Sequence, residues 1–540
     1  MAPRSISLMR VFLVLVLSLG SVPLAAQMVS VPVTHEVYPF LKRMQAKHLL
    51  PDYRDAMKPL SRMYLAGQIR NLDSLAGRMT GVERATFEFL KTEFQYEIGK
   101  LSGDPEPTET RWHLFSTELT GGVLNFDVNY RYSFGQYGND VQRYRGQGIK
   151  MQGYLFDDIG YYFNWIDSFE SGDGLNFGKT NTPDPGVVPT NIGPKLLNYD
   201  DIDAQVSFRV GKVELSLEKM KNNWGFGERG QIILSSKAPS YPQIKMRVPL
   251  SNNIDFVYFH GELNSNIVDS SRSYYTHTSG LVDYYRPVDH LKFLVAHQLE
   301  FTVIDGLNLS LGESAVYSDR GPLLIYLIPI VFFKAAEHYN GDKDNDQIFG
   351  SADVSLLSGF NFYCTLFIDD LNTDNLFDPA KSVRQVGVTA GIHTYDKLLD
   401  NLEIIAEYTR LNPWVYEHYY GTTDYRNNGY VLGDWIGQNA DDLYFDVSYR
   451  PLRQLQFGAF SEVYRKGGME DISNMLSPGE PPFLYGPLHQ ERSFGLHGKY
   501  QPLRDLFIDF RGRTVKIVDE ALGTNKSQLE FVLGVQLGVW

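Results

Sequence analysis

The chain has one cysteine in 540 residues, Cys364, which excludes a disulfide framework and any zinc or iron–sulfur site built from cysteines. Basic residues are also scarce, because 50 Lys and Arg face 64 Asp and Glu and leave a net charge of −14. That balance argues against nucleic acid as a partner. Beyond the N-terminus no apolar run approaches the roughly 18 residues of a membrane-spanning helix. The longest run, 323–333, is interrupted by Pro329. A polytopic helical membrane protein is therefore excluded.

Aromatic residues and glycine are abundant instead. The chain has 34 Tyr, 33 Phe and 48 Gly, although 21% of its residues are charged. A membrane β-barrel needs apolar side chains only at every second position of a strand, since the alternate positions face the lumen. This composition therefore favours an all-β transmembrane barrel.

The N-terminus has the order of features that defines an export signal. Arg4 and Arg10 form a basic region, 11–19 is a nine-residue apolar core, and small residues precede a cleavage site after Ala26. We predict a signal peptide over 1–26 and a mature chain with a net charge near −16, because the signal carries two basic residues and no acidic ones.

A small helical domain is predicted next, over 27–102. Val37, Phe40, Leu41 and Met44 follow the i, i+3, i+4, i+7 spacing of one apolar helix face. Similar patterns follow Pro59 and Gly81, so three helices are expected. A Gly- and Pro-rich stretch then opens a linker and tie segment over 103–122 that joins this domain to the next.

From 123 to 540 the period changes to two. In 124–134 the aromatic and aliphatic residues alternate with Asn, Asp, Arg and Ser, and 443–450 repeats the pattern. Charges of both signs on the second face suit a wet or plugged lumen better than a shared sandwich core. Cys364 has the parity of the apolar face, so we expect it to face lipid.

Short and long connections alternate along this region. Nine long loops separated by hairpin turns such as Gly211-Lys212 and Asp305-Gly306 predict eighteen antiparallel strands. The predicted location is the outer membrane, with the helical domain in the periplasm, long loops at the cell surface and lipid around the wall. The terminal aromatic residue, Trp540, is typical of barrels inserted by the barrel assembly machinery, which we expect as a further partner.

Four groups of short motifs resemble the Wzi family of outer-membrane capsule assembly proteins. They are 223–227 (NWGFG), 232–235 (IILS) and 238–239 (AP); 312–315 (GESA), 320–321 (RG), 327–329 (LIP) and 336–339 (AEHY); 368–370 (IDD); and 407–413 (EYTRLNP), 432–433 (LG), 436–437 (IG) and Asp441. The resemblance implies an eighteen-stranded barrel with a small periplasmic helical domain. It also implies a lectin-like role, in which the protein attaches capsular polysaccharide or exopolysaccharide to the cell surface without a chemical step, cofactor or metal.

Two other functions stay open on the residues alone. The polar inward face is compatible with a channel for small solutes or glycan fragments. Loop histidines such as His338, His418 and His489 leave an outer-membrane hydrolase as a weaker alternative, although the sequence contains no glycine-framed serine motif.

The predicted polysaccharide-binding residues are Trp414, Tyr416, Tyr420, Arg426 and Trp435, which lie in one long loop. Aromatic faces stack on the apolar faces of sugar rings, while Arg, Asp and Asn bond hydroxyl and acidic groups. The alternative is that these aromatic residues only pack the loop.

A second set is predicted to shape the loops. Trp224 and Arg229 bracket a glycine-containing bend that turns inward. The apolar run 323–333 should not remain in water, so we expect it to fold into the lumen or against neighbouring loops as a plug. Arg320 and Glu337 flank this run and are expected to pair.

Overall fold

The computed structural model describes residues 28–104, 110–119, 121–156, 159–276, 284–341, 343–371, 384–468 and 481–538. The predicted signal peptide lies outside the described residues. No helix in these ranges is long and apolar enough to cross a membrane. The described α-helices are α1 (Val37–Ala46), α2 (Arg62–Asn71), α3 (Gly81–Glu93), α4 (Gln95–Leu101) and α5 (Phe333–Asn340).

Helices α1 to α4 pack around one apolar core. The stripe recognised in α1 is buried, and Leu41 and Met44 are fully inaccessible to solvent. Helix α3 begins with a capping box, in which Thr80 and Glu83 bond each other's backbone N–H groups. The region contains four helices and a 3-10 turn (Asp73–Arg78), where three helices were expected.

The rest of the chain is a closed antiparallel β-barrel. Its wall strands are β1 (Gly122–Tyr137), β2 (Asp140–Leu155), β3 (Ile159–Ser171), β4 (Leu196–Val210), β5 (Val213–Met220), β6 (Tyr241–Ser251), β7 (Ile254–Val268), β8 (Asp289–Ile304), β9 (Leu307–Ser318), β10 (Asn345–Val354), β11 (Phe360–Leu371), β12 (Arg384–Tyr395), β13 (Leu402–Leu411), β14 (Ala440–Leu452), β15 (Leu455–Lys466), β16 (His489–Leu503), β17 (Leu506–Asp519) and β18 (Thr524–Leu537).

Closure of the barrel is made by β18, which pairs with β1 from Glu530↔Tyr137 to Leu537↔Tyr130. The predicted all-β barrel with eighteen strands is therefore confirmed. A further short strand, Phe115–Leu119, bonds to the beginning of β1 and continues the wall below the end of β18. Closure pairs the first strand with the last, which matters in lipid because unpaired backbone groups are costly there.

The two faces of the wall differ as the period of two predicts. Val128, Tyr130 and Tyr132 of β1 are exposed on the outer face, whereas the neighbouring Asn129 is buried on the inner face. The short turns meet at one end of the barrel. At the other end most connections are long, but 138–139 and 520–523 are tight turns, because the strands on either side stay paired to their tips. Long loops had been expected at both places.

The helical domain lies inside the short-turn end of the barrel and closes it. Arg43 reaches Glu403 of β13 at 2.8 Å, and the guanidinium of Arg54 reaches Asp255 of β7 at 2.8 Å. Backbone groups of the turns join in, since Gly359 N–H donates to the carbonyl of Ala46. We call residues 28–101 the floor of the lumen.

The apolar run 323–333 does not plug the lumen. Its Tyr326 packs on Phe293, Val295 and Tyr317, which share the outward parity of the exposed Leu299. The run therefore covers the outside of β7, β8 and β9. The run also supplies a hydrogen-bond partner to polar groups on that outer surface. The N–H of Phe333 donates to Glu313 at 2.9 Å, and Glu313 also lies 3.1 Å from His297.

The expected pair between Arg320 and Glu337 is also absent from the described residues. Arg320 pairs with Asp344, and Glu337 pairs with Lys334 at 2.6 Å, one turn earlier on α5. The two residues stabilise the outer segment and not a plug.

Candidate functional site

Two long loops fold inward and close the upper part of the lumen. They are 221–240, between β5 and β6, and 412–439, between β13 and β14, and we call them the roof. Trp224 lies at the centre of the roof with no exposed surface. Its ring meets Phe259 edge-on at 5.2 Å and Phe349 at 6.3 Å, so the loop is anchored on the inner wall.

The roof also touches the floor. Trp224 and Asn223 form a two-residue antiparallel ladder with Met57 and Lys58. The N–H of Gly225 donates to the carbonyl of Ala56 at 2.9 Å, and the φ of 86° at Gly225 is a conformation that glycine adopts without strain. The inward bend predicted for this loop therefore brings it to the helical domain.

Three of the predicted binding residues are buried inside the roof. Trp414 is 1% exposed, Tyr416 is fully buried and Trp435 is 9% exposed. The Tyr416 hydroxyl donates to the carbonyl of Ile232 at 2.6 Å, which ties the two roof loops together. Their burial favours the packing alternative, because a stacked sugar needs an open aromatic face.

The backbone at this point is strained. Trp414 and Tyr416 both adopt left-handed conformations, with φ values of 63° and 77°. Such conformations cost about 1–3 kcal/mol each for residues other than glycine and persist where surrounding contacts impose them. Here the contacts include the N–H of Trp414, which donates to Gln438 at 2.9 Å. The loop is thus held in one shape by its buried aromatics.

Arg229 lies beneath this cluster and faces the inner wall. Its guanidinium is 5.0 Å from the ring centre of Tyr444 and 5.8 Å from that of Trp435, and it pairs with Glu462 of β15. These carboxylate and aromatic neighbours keep the pKa of Arg229 above its usual value despite burial. Arg229 therefore fixes the roof to the wall.

The remaining predicted residues, Tyr420 and Arg426, lie nearer the surface. Tyr420 is 46% exposed, and its ring centre lies 4.3 Å from that of Tyr419. Arg426 is already paired with Glu417 and lies 3.4 Å from Asp424. The structure therefore divides the predicted set, and contact of Tyr420 and Arg426 with a polysaccharide stays a prediction.

A cavity of about 960 Å³ lies in the lumen beside the roof. Its lower boundary is formed by floor residues such as Pro32 and Thr34, and roof residues such as Asn427 line another part. The wall contributes polar inward side chains from β1 to β4, including Asn164 and Tyr199. Sequence reasoning missed this cavity, because alternation identifies inward residues without showing which of them face empty space.

Both hydrogen-bond donors and hydrogen-bond acceptors line this cavity. The amino group of Lys179 lies 2.7 Å from Glu170, and the hydroxyl of Tyr199 donates to the same carboxylate at 2.7 Å. Lys221 pairs with Asp201 at 3.2 Å. Such a surface can bond a ligand rich in hydroxyl groups, which both donate and accept.

One roof lysine organises the loop above the cavity. The amino group of Lys237 donates to the carbonyl oxygens of Lys179, Thr182 and Asp184. Burial lowers the pKa of Lys237 to about 8. The carbonyl cage thus holds the 172–188 connection against the roof. No cluster of three or more metal-ligating side chains occurs in the part of the chain that the structure describes.

Comparison with known proteins identifies a family. The profile of the capsule assembly protein Wzi matches residues 199–468, which is half of the chain and includes both roof loops. Among curated proteins none matches this sequence. The identity of the family thus rests on the profile, and its matched region contains the motifs quoted above.

One of the solved structures that resemble this chain supports the same architecture. A carbohydrate-binding β-barrel of Escherichia coli, Wzi, described as an outer membrane protein involved in group 1 capsule assembly, superposes with a TM-score of 0.57 at 10% identity over 95% of this chain and all of its own. OprD of Pseudomonas aeruginosa gives 0.43 at 13% identity, over 76% of this chain and 94% of its own. OccAB2 of Acinetobacter baumannii gives 0.43 at 11%, over 77% and 97%.

Proposed function

This chain belongs to the Wzi family of capsule assembly proteins, and from that membership we propose that it holds an exported polysaccharide at the cell surface by noncovalent binding. It does so as an outer-membrane protein with the helical domain in the periplasm and the roof at the surface. Its partners are capsular polysaccharide or exopolysaccharide, the surrounding lipid and the machinery that inserts barrels. The observation that carries the proposal is the family match, which spans the whole roof.

Closure of the lumen by the floor and the roof supports binding over transport. The floor occupies the short-turn end, and the roof packs Trp224 and Tyr416 with essentially no exposed surface. A channel for small solutes, the main alternative, requires a continuous wet path. Floor and roof instead meet directly at the Met57↔Trp224 ladder.

Attachment needs no chemical step. A repeating polymer can make many weak contacts at once, and avidity then gives retention that no single contact provides. Two of the loop histidines, His418 and His489, are held by hydrogen bonds within the protein. His418 bonds to Thr423 at 2.7 Å, and His489 lies between Asp519 and Glu491.

The proposal is tested by measuring cell-bound and shed polysaccharide in a strain that lacks the protein. We expect the polymer to be made and shed, and the native chain to restore its attachment. A chain with Trp112→Ala, which changes an exposed tryptophan of the tie segment, is the control and should restore attachment as the native chain does. Attachment that is unchanged in the deleted strain would refute the proposed function.

A further inference from the structure

The barrel wall has a notch in its loop-facing half. Strand β4 bonds to β5 only through 204–210. On the other side, β7 bonds to β6 only as far as Gly261. Strands β5 and β6 are bonded to each other but stop at Met220 and Tyr241, where the chain turns inward to form the roof.

Above that level the facing edges of β4 and β7 are separated. A short strand, Pro189–Gly193, covers 196–199 of β4. Among the described residues, 200–203 have no strand partner on that side. Side chains take the place of a strand there, since Lys219 and Ser240 both donate to the carbonyl of Ile202, at 2.7 and 3.2 Å.

Roof residues form the opposite margin of the notch. The N–H of Asn264 on β7 donates to the side chain of Asn427 at 2.9 Å, and the N–H of Asn428 donates back to the carbonyl of Asn264 at 3.1 Å. These bonds satisfy the edge of β7, and among the described residues no strand joins it to β4 at this level.

The lumen cavity passes through this notch. Its lining includes the inward-facing Asn164 and Tyr199, and also Ile202 and Glu262, which have outward parity on β4 and β7. Residues of both faces can line one cavity only where that cavity crosses the wall. Ile202 is 36% exposed, so the outer rim of the cavity is not covered by the described part of the chain.

We propose that this notch is a lateral window through which a polysaccharide chain reaches the lumen cavity. The inference deepens the proposed function, on which it rests, because it adds a binding site at the side of the barrel that the family match does not specify. A window also allows a long polymer to leave the cavity without being threaded from one end.

The chemistry of the lining indicates uncharged sugar units. Seven carboxylates and four lysine or arginine side chains line the cavity. Two of the four cations, Lys179 and Lys221, are already paired with carboxylates. An acidic sugar would therefore meet excess negative charge, whereas neutral sugar hydroxyls can donate to the carboxylates.

The test uses purified full-length protein in detergent and surface polysaccharide isolated from the producing cell. Ile202→Trp and Glu262→Trp each narrow the window with a bulky ring. Val206→Trp is the matched control, since Val206 lies on the same face of β4 as Ile202 but at a level where β5 completes the wall. Ser133→Trp fills the cavity from β1, three strands away from the notch.

We expect either window substitution, and Ser133→Trp, to weaken binding by about tenfold or more. Val206→Trp should change it by about twofold at most. Binding by the native chain should change little between about 0.05 and 0.5 M salt, because uncharged units are recognised. Heat-dependent gel mobility of each variant verifies that the barrel is folded.

The outcomes separate the two proposals. If the native chain does not bind the polysaccharide, the proposed function fails. If it binds and the window variants bind equally well, the window is refuted, whether or not Ser133→Trp matters. Strong weakening by salt would refute the assignment of uncharged sugar units at this site.

Discussion

The two ends of the lumen are closed by different chemistry. The floor is attached to the barrel largely through charges, as in the Arg43–Glu403 and Arg54–Asp255 pairs. The roof is held by packing around Trp224, whose neighbours are aromatic. Buried ion pairs depend on both partners and on pH, whereas a packed core depends on volume. The stability of the floor should therefore fall when a single charge is removed, and that of the roof when a cavity is created.

The origin of the difference lies in where each region meets the wall. The floor meets the short turns and the polar lower part of the inner face, where Asp353 and Glu300 are buried. Charged groups there need partners, and the helices supply them, as when Lys42 reaches Asp353 at 2.8 Å. The roof meets an apolar upper patch that includes Phe349 and Phe367, so it can exclude water altogether.

The largest expected effect is a cavity in the roof. Trp224→Ala should lower the free energy of unfolding by about 3–5 kcal/mol, because a fully buried ring is lost from a packed cluster. Chemical denaturation of the detergent-solubilised barrel measures the change. Trp112→Ala, which removes a ring that is 71% exposed, should stay close to the native value. Equal effects of the two substitutions would contradict the packed roof.

A charge change in the floor should come next. Glu93 lies within 3.2 Å of Arg62, Arg111 and Arg504, and their positive charge holds the pKa of Glu93 far below its usual value. Glu93→Gln removes the carboxylate that three guanidinium groups share. Arg62 keeps Glu97 and Arg111 keeps Asp505, so the charge of Arg504 is the least compensated, and we expect a loss of about 3 kcal/mol. Glu88→Gln, at an exposed position of the same helix, is the control. Denaturation curves that coincide for the two variants would refute the role of this cluster.

The floor should also be sensitive to pH through His35. Burial lowers the pKa of His35 to about 3, from an ordinary 6.5, and the positive groups Arg62, Lys150 and Arg111 act in the same direction against the attraction of Glu93. The unfolded chain therefore binds this proton more readily than the folded one. Stability is complete above pH 6.5 and is lost as the pH falls towards 3, by about 2 kcal/mol at pH 5.

His35→Asn tests this dependence. An Asn side-chain oxygen can accept the N–H of Val37, which the ring nitrogen accepts at 3.1 Å in the native chain. We expect the variant to show a shallower loss of stability between pH 7 and pH 4 in the same denaturation assay. A slope identical to that of the native chain would show that His35 is not the sensor.

The smallest effect on stability is expected at the roof surface. Tyr420→Ala should change the free energy of unfolding by no more than about 0.5 kcal/mol, since the ring is largely exposed. If Tyr420 stacks on a sugar, polysaccharide binding should fall by about three- to tenfold, the value of one aromatic contact. Trp414→Ala provides the contrast, because removal of this buried ring should lower the free energy of unfolding before it affects binding. Unchanged binding by Tyr420→Ala removes that residue from the site.

Alternation was enough to predict the wall, because a period of two repeats on every strand. The strand number, the inward bend at Trp224 and the existence of N-terminal helices followed from local patterns. The position of the helices inside the barrel did not, since the barrel partners of Arg43 are Asp396 and Glu403, which lie 353 and 360 residues away. Amphipathic spacing shows which face is covered but not by what.

The site was predicted less well, for two physical reasons. Aromatic residues serve packing and recognition with the same surface, so Trp414 and Tyr420 are alike in sequence while one is buried and the other exposed. The apolar run 323–333 covers the outer wall because Glu313 and His297 on that face need shielding. Alternation alone does not place these two residues side by side, and the register between β8 and β9 is needed to do so. The cavity and its window likewise depend on where strands stop.

The most direct test of the account is single-channel recording of the native protein in planar bilayers. A floor fixed by ion pairs and a roof fixed by packing, in contact at Met57↔Trp224, should leave no continuous path along the barrel. We therefore expect insertion without steady conductance at either polarity. A steady open conductance from the native chain would contradict the closed lumen and would favour the channel over the polysaccharide-binding barrel.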